Sequence, residues 1–144
     1  EIDLNKVREA YSTLSRGHEF VIEEGIGGIL VPIKEGYFVY DLVHDLELPV
    51  IIVTRPGLGT INHSLLTVNE ARRRGIEMRG FITNCVGKQR SGIAERTNPE
   101  VIQEACHIPF LGALPFDPKV DVSSNELGDI IESTLKHIDV EKIL

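Results

Sequence analysis

The run Pro49-Val50-Ile51-Ile52-Val53-Thr54 constrains what this chain can fold into more than any other stretch. Its β-branched residues are stiff at χ1 and favour a pleated backbone, and an unbroken apolar run, unlike an alternating one, suits a strand covered on both faces. Strands of that kind belong to parallel sheets, whose neighbours must be joined by crossover helices. The residues downstream follow that pattern. Arg55-Pro56-Gly57-Leu58-Gly59-Thr60 reads as a turn, a helix is predicted over residues 62–74 with Gly75 as its stop, and Gly80-Phe81-Ile82-Thr83-Asn84-Cys85 is the next strand.

The same alternation runs through the rest of the chain. Leu4, Val7, Tyr11 and Leu14 fall at helical spacing ahead of Gly17, Phe20-Val21-Ile22 reads as a buried strand, and a second amphipathic helix is predicted over residues 37–46. A polar loop over residues 88–97 leads to a helix capped by Asn98, with Pro99 in the first turn, where its missing donor costs nothing. The strand Phe110-Leu111-Gly112-Ala113-Leu114 follows, then a loop over residues 116–123 and a last helix over residues 124–138. Four strand-helix alternations predict one α/β domain over residues 1–144, a mostly parallel sheet flanked by helices. Ligands in such sheets bind at the carboxyl ends of the strands, so the turns after Glu24, Thr54, Asn84 and Leu114 matter most.

Composition narrows the partners. A chain of 144 residues can bury roughly 70% of its unfolded surface, and 42% hydrophobic with 26% charged residues excludes a disordered or collagen-like polymer. A net charge of -7 opposes binding to a phosphate backbone or an anionic lipid surface, so neither nucleic acid nor membrane is expected as a partner. Cys85 and Cys106 are too few and too far apart for a disulfide framework or a zinc site, which suits a reducing, cytoplasmic compartment. No apolar run approaches the ~20 residues of a membrane span. The chain opens on a helical pattern without a Met, as expected of part of a longer polypeptide.

Two turns look able to hold anions. In Glu23-Glu24-Gly25-Ile26-Gly27-Gly28 the glycines would let backbone donors approach a phosphate, and Glu24 beside them could hold a divalent cation; a tight turn with two solvated glutamates fits the same residues. In the second, Gly57, Gly59 and Thr60 precede a helix whose first amides could receive a carboxylate or phosphate, although Thr60 or Asn62 as a plain helix cap fits equally. His63 reads as a capping or packing residue. Asn84 offers an amide suited to a purine edge or to a turn. Arg72, Arg73 and Arg74 read as a solvated helix end, and the two cysteines as small buried hydrophobes.

Taken together, Val21-Ile22-Glu23-Glu24-Gly25-Ile26-Gly27-Gly28-Ile29-Leu30-Val31-Pro32, Gly57-Leu58-Gly59-Thr60-Ile61-Asn62-His63, Gly80-Phe81-Ile82-Thr83-Asn84 and Ile108-Pro109-Phe110-Leu111-Gly112-Ala113-Leu114-Pro115 resemble, in order and spacing, the dethiobiotin synthetases. The likeness runs from Phe20 onward. It implies ATP-dependent carboxylation and ring closure of diaminopelargonate with carbon dioxide, through a phosphorylated carbamate, in a homodimer that uses magnesium. By position, the resemblance implies that Glu24 is a metal ligand and that Glu24, Gly25, Ile26 and Gly27 line the nucleotide phosphates. Asn84 and Cys85 would face the adenine, with Pro115, Phe116 and Asp117 completing its pocket. Gly59, Thr60, Ile61 and Asn62 would present backbone amides to the substrate carboxylate of the neighbouring subunit.

Two departures bear on this. No G-x-x-x-x-G-K-[ST] motif occurs, since Gly87-Lys88-Gln89 lacks the first glycine and the hydroxyl residue, and a family glutamate near the last strand is Ala113 here. The resemblance is therefore to the C-terminal part of a P-loop NTPase-like architecture whose N-terminal part is missing, with no catalytic residue in this chain and no activity expected of it alone. A non-catalytic regulatory or dimerisation module of the same fold, or a relative of the cobyrinate-type synthases, accounts for the same motifs.

Overall fold

The computed structural model describes residues 2–25, 27–86 and 92–144. In chain order the elements are α1 (Leu4–Gly17), β1 (Pro32–Lys34), β2 (Tyr37–Phe38), α2 (Val39–Asp45), β3 (Val50–Thr54), α3 (Thr60–Arg73) and β4 (Met78–Val86). They continue with α4 (Ile93–Cys106), β5 (Phe110–Pro115), β6 (Val120–Asp121), β7 (Glu126–Leu127) and α5 (Ile130–His137). The chain divides into two compact units. One comprises Glu1–Pro49 and Glu70–Glu77, the other Val50–Asn69 and Met78–Leu144.

The second unit realises the α/β expectation. Its sheet has the order β3-β4-β5, both pairs parallel, with Val53 opposite Ile82 and Thr83 opposite Ala113. The two crossovers, β3-α3-β4 and β4-α4-β5, bring α3 and α4 to one cluster against the sheet. There Val68 of α3, Phe81 of β4, Ile102 and Cys106 of α4 and Ile108 form a closed apolar cluster, with Ile52, Leu65 and Phe110 against its margin. Phe81 is fully buried and its ring lies 5.1 Å from that of Phe110. The β5 edge is closed: Ile138 bridges Gly112, and the Asp139 amide donates to the Leu111 carbonyl at 2.7 Å.

The first unit is held differently. Its buried apolar residues are Leu4, Leu46, Ala71 and Ile76, and polar clusters surround them. Asp45 accepts from the Arg8 guanidinium and from the Tyr37 hydroxyl, the latter at 2.7 Å. Glu70 bonds Arg73 at 2.7 Å and also Arg74, whose guanidinium lies 3.2 Å above the Tyr40 ring centre.

Four expectations change. Phe20-Val21-Ile22 forms no strand, and Phe20 and Ile22 are exposed, Ile22 to 80%. An apolar run becomes a buried strand only when a neighbour supplies its ladder, and none among the described residues pairs with it. The second helix starts at Val39, because Tyr37 and Phe38 pair with β1. α4 begins at Ile93, where Glu95 accepts the Gly92 amide, so Asn98 and Pro99 lie inside the helix rather than at its start. The last helix begins at Ile130. Asn125 and Gly128 adopt left-handed φ values of 57° and 51°, and Asp117 takes the Asp129 amide, so residues 120–127 form a short hairpin instead. A Cβ on Gly128 would stand 2.5 Å from that Asp117 oxygen.

Candidate functional site

Because β3, β4 and β5 are parallel, their carboxyl ends share one edge of the sheet, and most of the sequence-predicted site residues leave from it. The last row paired across all three strands is Thr54, Thr83 and Ala113. The row carries no charge. Thr54 and Thr83 are buried and their hydroxyls meet at 3.0 Å, while Thr54 Oγ1 also donates to the Ile82 carbonyl at 3.0 Å. Ala113 adds no charge, so charged groups at this edge must come from the loops beyond the strands.

The β3 exit is the best defined of them. Gly59 holds φ at 89°, a left-handed conformation an L side chain resists, and this turns the chain into α3. The Thr60 amide donates to the Gly57 carbonyl at 3.2 Å and the His63 amide to the Gly59 carbonyl at 3.0 Å. Thr60 is buried, and the first turn of α3 contains no acidic residue to compete for its donors. Arg55 Nη2 lies 3.4 Å from His63 Nδ1, and both side chains reach over the turn, 3.8 Å and 3.6 Å from the place a Cβ on Gly59 would occupy. On the buried side Asn98 Nδ2 donates to the Pro56 carbonyl at 2.8 Å.

Along the same edge, Asn84 and Cys85 lie near the carboxyl end of strand β4, and Val86 is paired with Pro115 at the end of β5. Phe116 is partly exposed and Asp117 half-buried. Asp117 spends both carboxylate oxygens on its own loop, Oδ2 accepting the Asp129 amide at 2.7 Å and Oδ1 the Lys119 amide at 2.8 Å. Those two backbone donors hold its carboxyl below the ordinary range. Asp117 thus shapes the loop that Phe116 enters.

Glu24, Gly25 and Gly27 belong to the first unit, on an exposed segment without regular structure, so the turn there does not close a strand. Ile26, like Lys88 in the polar loop, lies outside the described residues. Partial desolvation pushes the neighbouring Glu23 carboxyl up, whereas Glu24 presents its carboxylate at the surface. Among the described residues no group of three His, Cys, Asp or Glu side chains could hold a metal by itself. One accessible carboxylate fits magnesium carried mainly by nucleotide phosphates and water, and does not fit an all-protein cage. A shallow cleft of about 690 Å³ in the first unit, lined by Asn5, Arg8, Lys34 and Tyr37 among others, contains none of the expected ligand residues.

Two residues of the β3 exit were not legible as such. Asn98 reads locally as a helix cap, and its contact with a carbonyl 42 residues earlier has no local signal. Arg55 follows the strongest strand directly and ahead of a glycine turn, which was the available signal.

Comparison with known proteins agrees with this architecture. A family model described as an AAA domain matches residues 1–124. The ATP-dependent dethiobiotin synthetase BioD of Thermodesulfovibrio yellowstonii is 37% identical over 151 residues, covering all of this chain and 61% of that protein. The protein of the same name from Bacillus velezensis is 46% identical over 144 residues, 99% of this chain and 59% of its own length. That of Methanococcus vannielii is 48% identical over 86 residues, 60% of this chain and 41% of its own length. The chain spans about three-fifths of the length of the first two relatives. No helix among the described residues is long and apolar enough to cross a membrane.

Proposed function

The chain belongs to the AAA domain family, and from that premise we propose that, like the dethiobiotin synthetases it resembles, it serves the ATP-dependent conversion of diaminopelargonate and carbon dioxide to dethiobiotin, in biotin biosynthesis. The carrying observation is the β3 exit. A glycine turn with φ of 89° leads into a helix whose first turn has no acid, at the carboxyl edge of a parallel sheet, where the resemblance expects a substrate carboxylate to be received.

The roles follow from the groups present. The amides of residues 59–62 hold the carboxylate end of the substrate for a neighbouring subunit, far from the amines that react, so their contribution is positioning. Asn84 reads the adenine edge through its amide, beside Cys85, and Pro115 and Phe116 wall the base on a loop ordered by Asp117. Gly25, Ile26 and Gly27 offer backbone donors to the phosphates, and Glu24 is the carboxylate to which magnesium is anchored. A magnesium ion held by Glu24 would supply neutralisation of the charge that develops on the phosphates.

The uncharged row Thr54, Thr83 and Ala113 leaves the charged groups of this reading to the loops beyond the strands. The test supplies ATP, bicarbonate and diaminopelargonate to this chain alone and to a polypeptide that carries a P-loop segment ahead of it, with dethiobiotin measured by mass. Product from the longer polypeptide and none from this chain is expected, and Glu24→Gln in the former should lower turnover by about tenfold or more. A longer polypeptide that makes no dethiobiotin would overturn the reading.

A further inference from the structure

Asn98 sits in the middle of α4, only 7% exposed, and its amide reaches out of the helix to the Pro56 carbonyl at 2.8 Å. Nothing local favours it there. Asparagine is a poor interior helix residue, and Pro99 after it removes an intrahelical donor and disfavours helical geometry in the residue before it. The amide is engaged instead with the turn that leaves β3, within the same unit. Pro56 is followed by Gly57 and Gly59, which leave the next peptides with little conformational restraint of their own, and then by Thr60, only 3% exposed at the start of α3. Fixing the Pro56 carbonyl fixes the peptide plane from which residues 57–60 depart. On the opposite side Arg55 and His63 reach over the turn and remain exposed, so a ligand can approach from solvent while Asn98 grips the buried side.

We propose that Asn98 is a positioning residue for substrate binding: its amide holds the β3 exit so that the amides of residues 59–62 converge on the substrate carboxylate. The proposal rests on the reading of that turn as the carboxylate seat, and adds a buried residue from α4 that never touches the ligand. Misaimed donors would cost affinity for the carboxylate end and leave the apolar core intact.

The test uses the isotope-labelled chain followed by NMR, with diaminopelargonate as the probe. The Thr60, Ile61 and Asn62 amides of the unaltered chain should shift as the probe is added. Asn98→Ala, and the isosteric Asn98→Asp, whose carboxylate cannot donate, should weaken that binding about tenfold, the effect of about 1.4 kcal/mol expected when one hydrogen bond to a buried carbonyl is lost. Both should also speed hydrogen exchange at the Thr60 and His63 amides about tenfold while the Phe81 amide, bonded to the Pro109 carbonyl in the core, keeps its rate. Asn98→Gln, which keeps a donor, should recover part of both effects. Unchanged affinity and exchange in Asn98→Ala and Asn98→Asp, or acceleration shared equally by Phe81, would overturn the proposal, the second by making Asn98 merely structural. If the exchange pattern appears but the unaltered chain shows no shift with the probe, the carboxylate seat is refuted and the grip on the turn stands.

Discussion

The two units hold themselves together by opposite means. In the second, a cluster from α3, β4 and α4 buries Val68, Phe81, Ile102, Cys106 and Ile108 nearly completely, and polar groups such as Thr54, Thr83 and Asn98 are bonded inside it. In the first, few apolar side chains are buried, Phe20 and Ile22 are exposed, and Arg8–Asp45–Tyr37 and Arg73–Glu70–Arg74 do much of the joining. Glycine turns of similar composition therefore end up in different states. Residues 57–60 are gripped by the core through Asn98, whereas residues 25–28 follow a segment that pairs with nothing among the described residues. A glycine-rich motif becomes a shaped turn through the elements that frame it.

The sharpest way to break this contrast is to remove apolar volume from each unit. Phe81→Ala empties the centre of the second unit and should destabilise it by about 3–5 kcal/mol, while Ile22→Ala, on an exposed side chain, should stay within about 0.5 kcal/mol. Denaturant unfolding of both variants measures the difference. Equal effects would mean that Ile22 is buried in solution and the two units are alike.

A smaller effect tests the framed turn. Gly59→Ala leaves space, since the nearest atom to the new Cβ is 3.6 Å away, but φ of 89° is a conformation an alanine resists. The cost should be about 1–2 kcal/mol from the backbone alone. Gly28→Ala meets nothing within 4 Å and has no such φ, and should be nearly neutral. The pair separates conformational demand from mere glycine content, and a neutral Gly59→Ala would show that the turn is not held as described.

The same contrast explains what could be read from the sequence. The run at residues 50–54 and the strands at Phe81 and Phe110 were legible as elements because their apolar, β-branched residues favour paired strands. β3 is nonetheless not covered on both faces as its unbroken apolar run suggests: Val50, Ile51 and Ile52 are half-buried and Val53 is 61% exposed. Phe20-Val21-Ile22 carries the same pattern and fails, since a strand needs a neighbour and the pattern does not say who supplies it. Asn98-Pro99 obeys the local rule for a helix start, yet the helix begins five residues earlier at Ile93, where Glu95 accepts the Gly92 amide, and a contact across 42 residues gives Asn98 its place. At the β3 exit the glycine turn was located by spacing, while the residue gripping it was invisible. The family resemblance located Asp117, and only the structure shows that its oxygens are committed to the loop backbone.

The smallest effect is electrostatic and should appear mainly in the first unit. Hydrogen bonds from Arg73 and Arg74 pull the Glu70 carboxyl from 4.5 down to about 2, so this contribution is complete above pH 4.5 and fades as pH falls toward about 2. Desolvation, with the hydrogen bond to Asp45 second, pushes the Tyr37 hydroxyl from 10 up to about 12, so the Tyr37 contribution is complete below pH 10 and fades as pH rises toward about 12. Between those limits the first unit should be insensitive to pH through these two groups. Both effects are modest because the partners are reached by solvent, and added salt should weaken the arginine pairing of Glu70 further. Carboxyl carbon shifts of Glu70 and the phenolate absorbance of Tyr37, the latter assigned with Tyr37→Phe, give the two midpoints directly. Core resonances such as Phe81 should not follow the Glu70 midpoint. A Glu70 midpoint in the ordinary carboxylate range would show that the two arginines do not hold it, and the first unit would then need another source of cohesion.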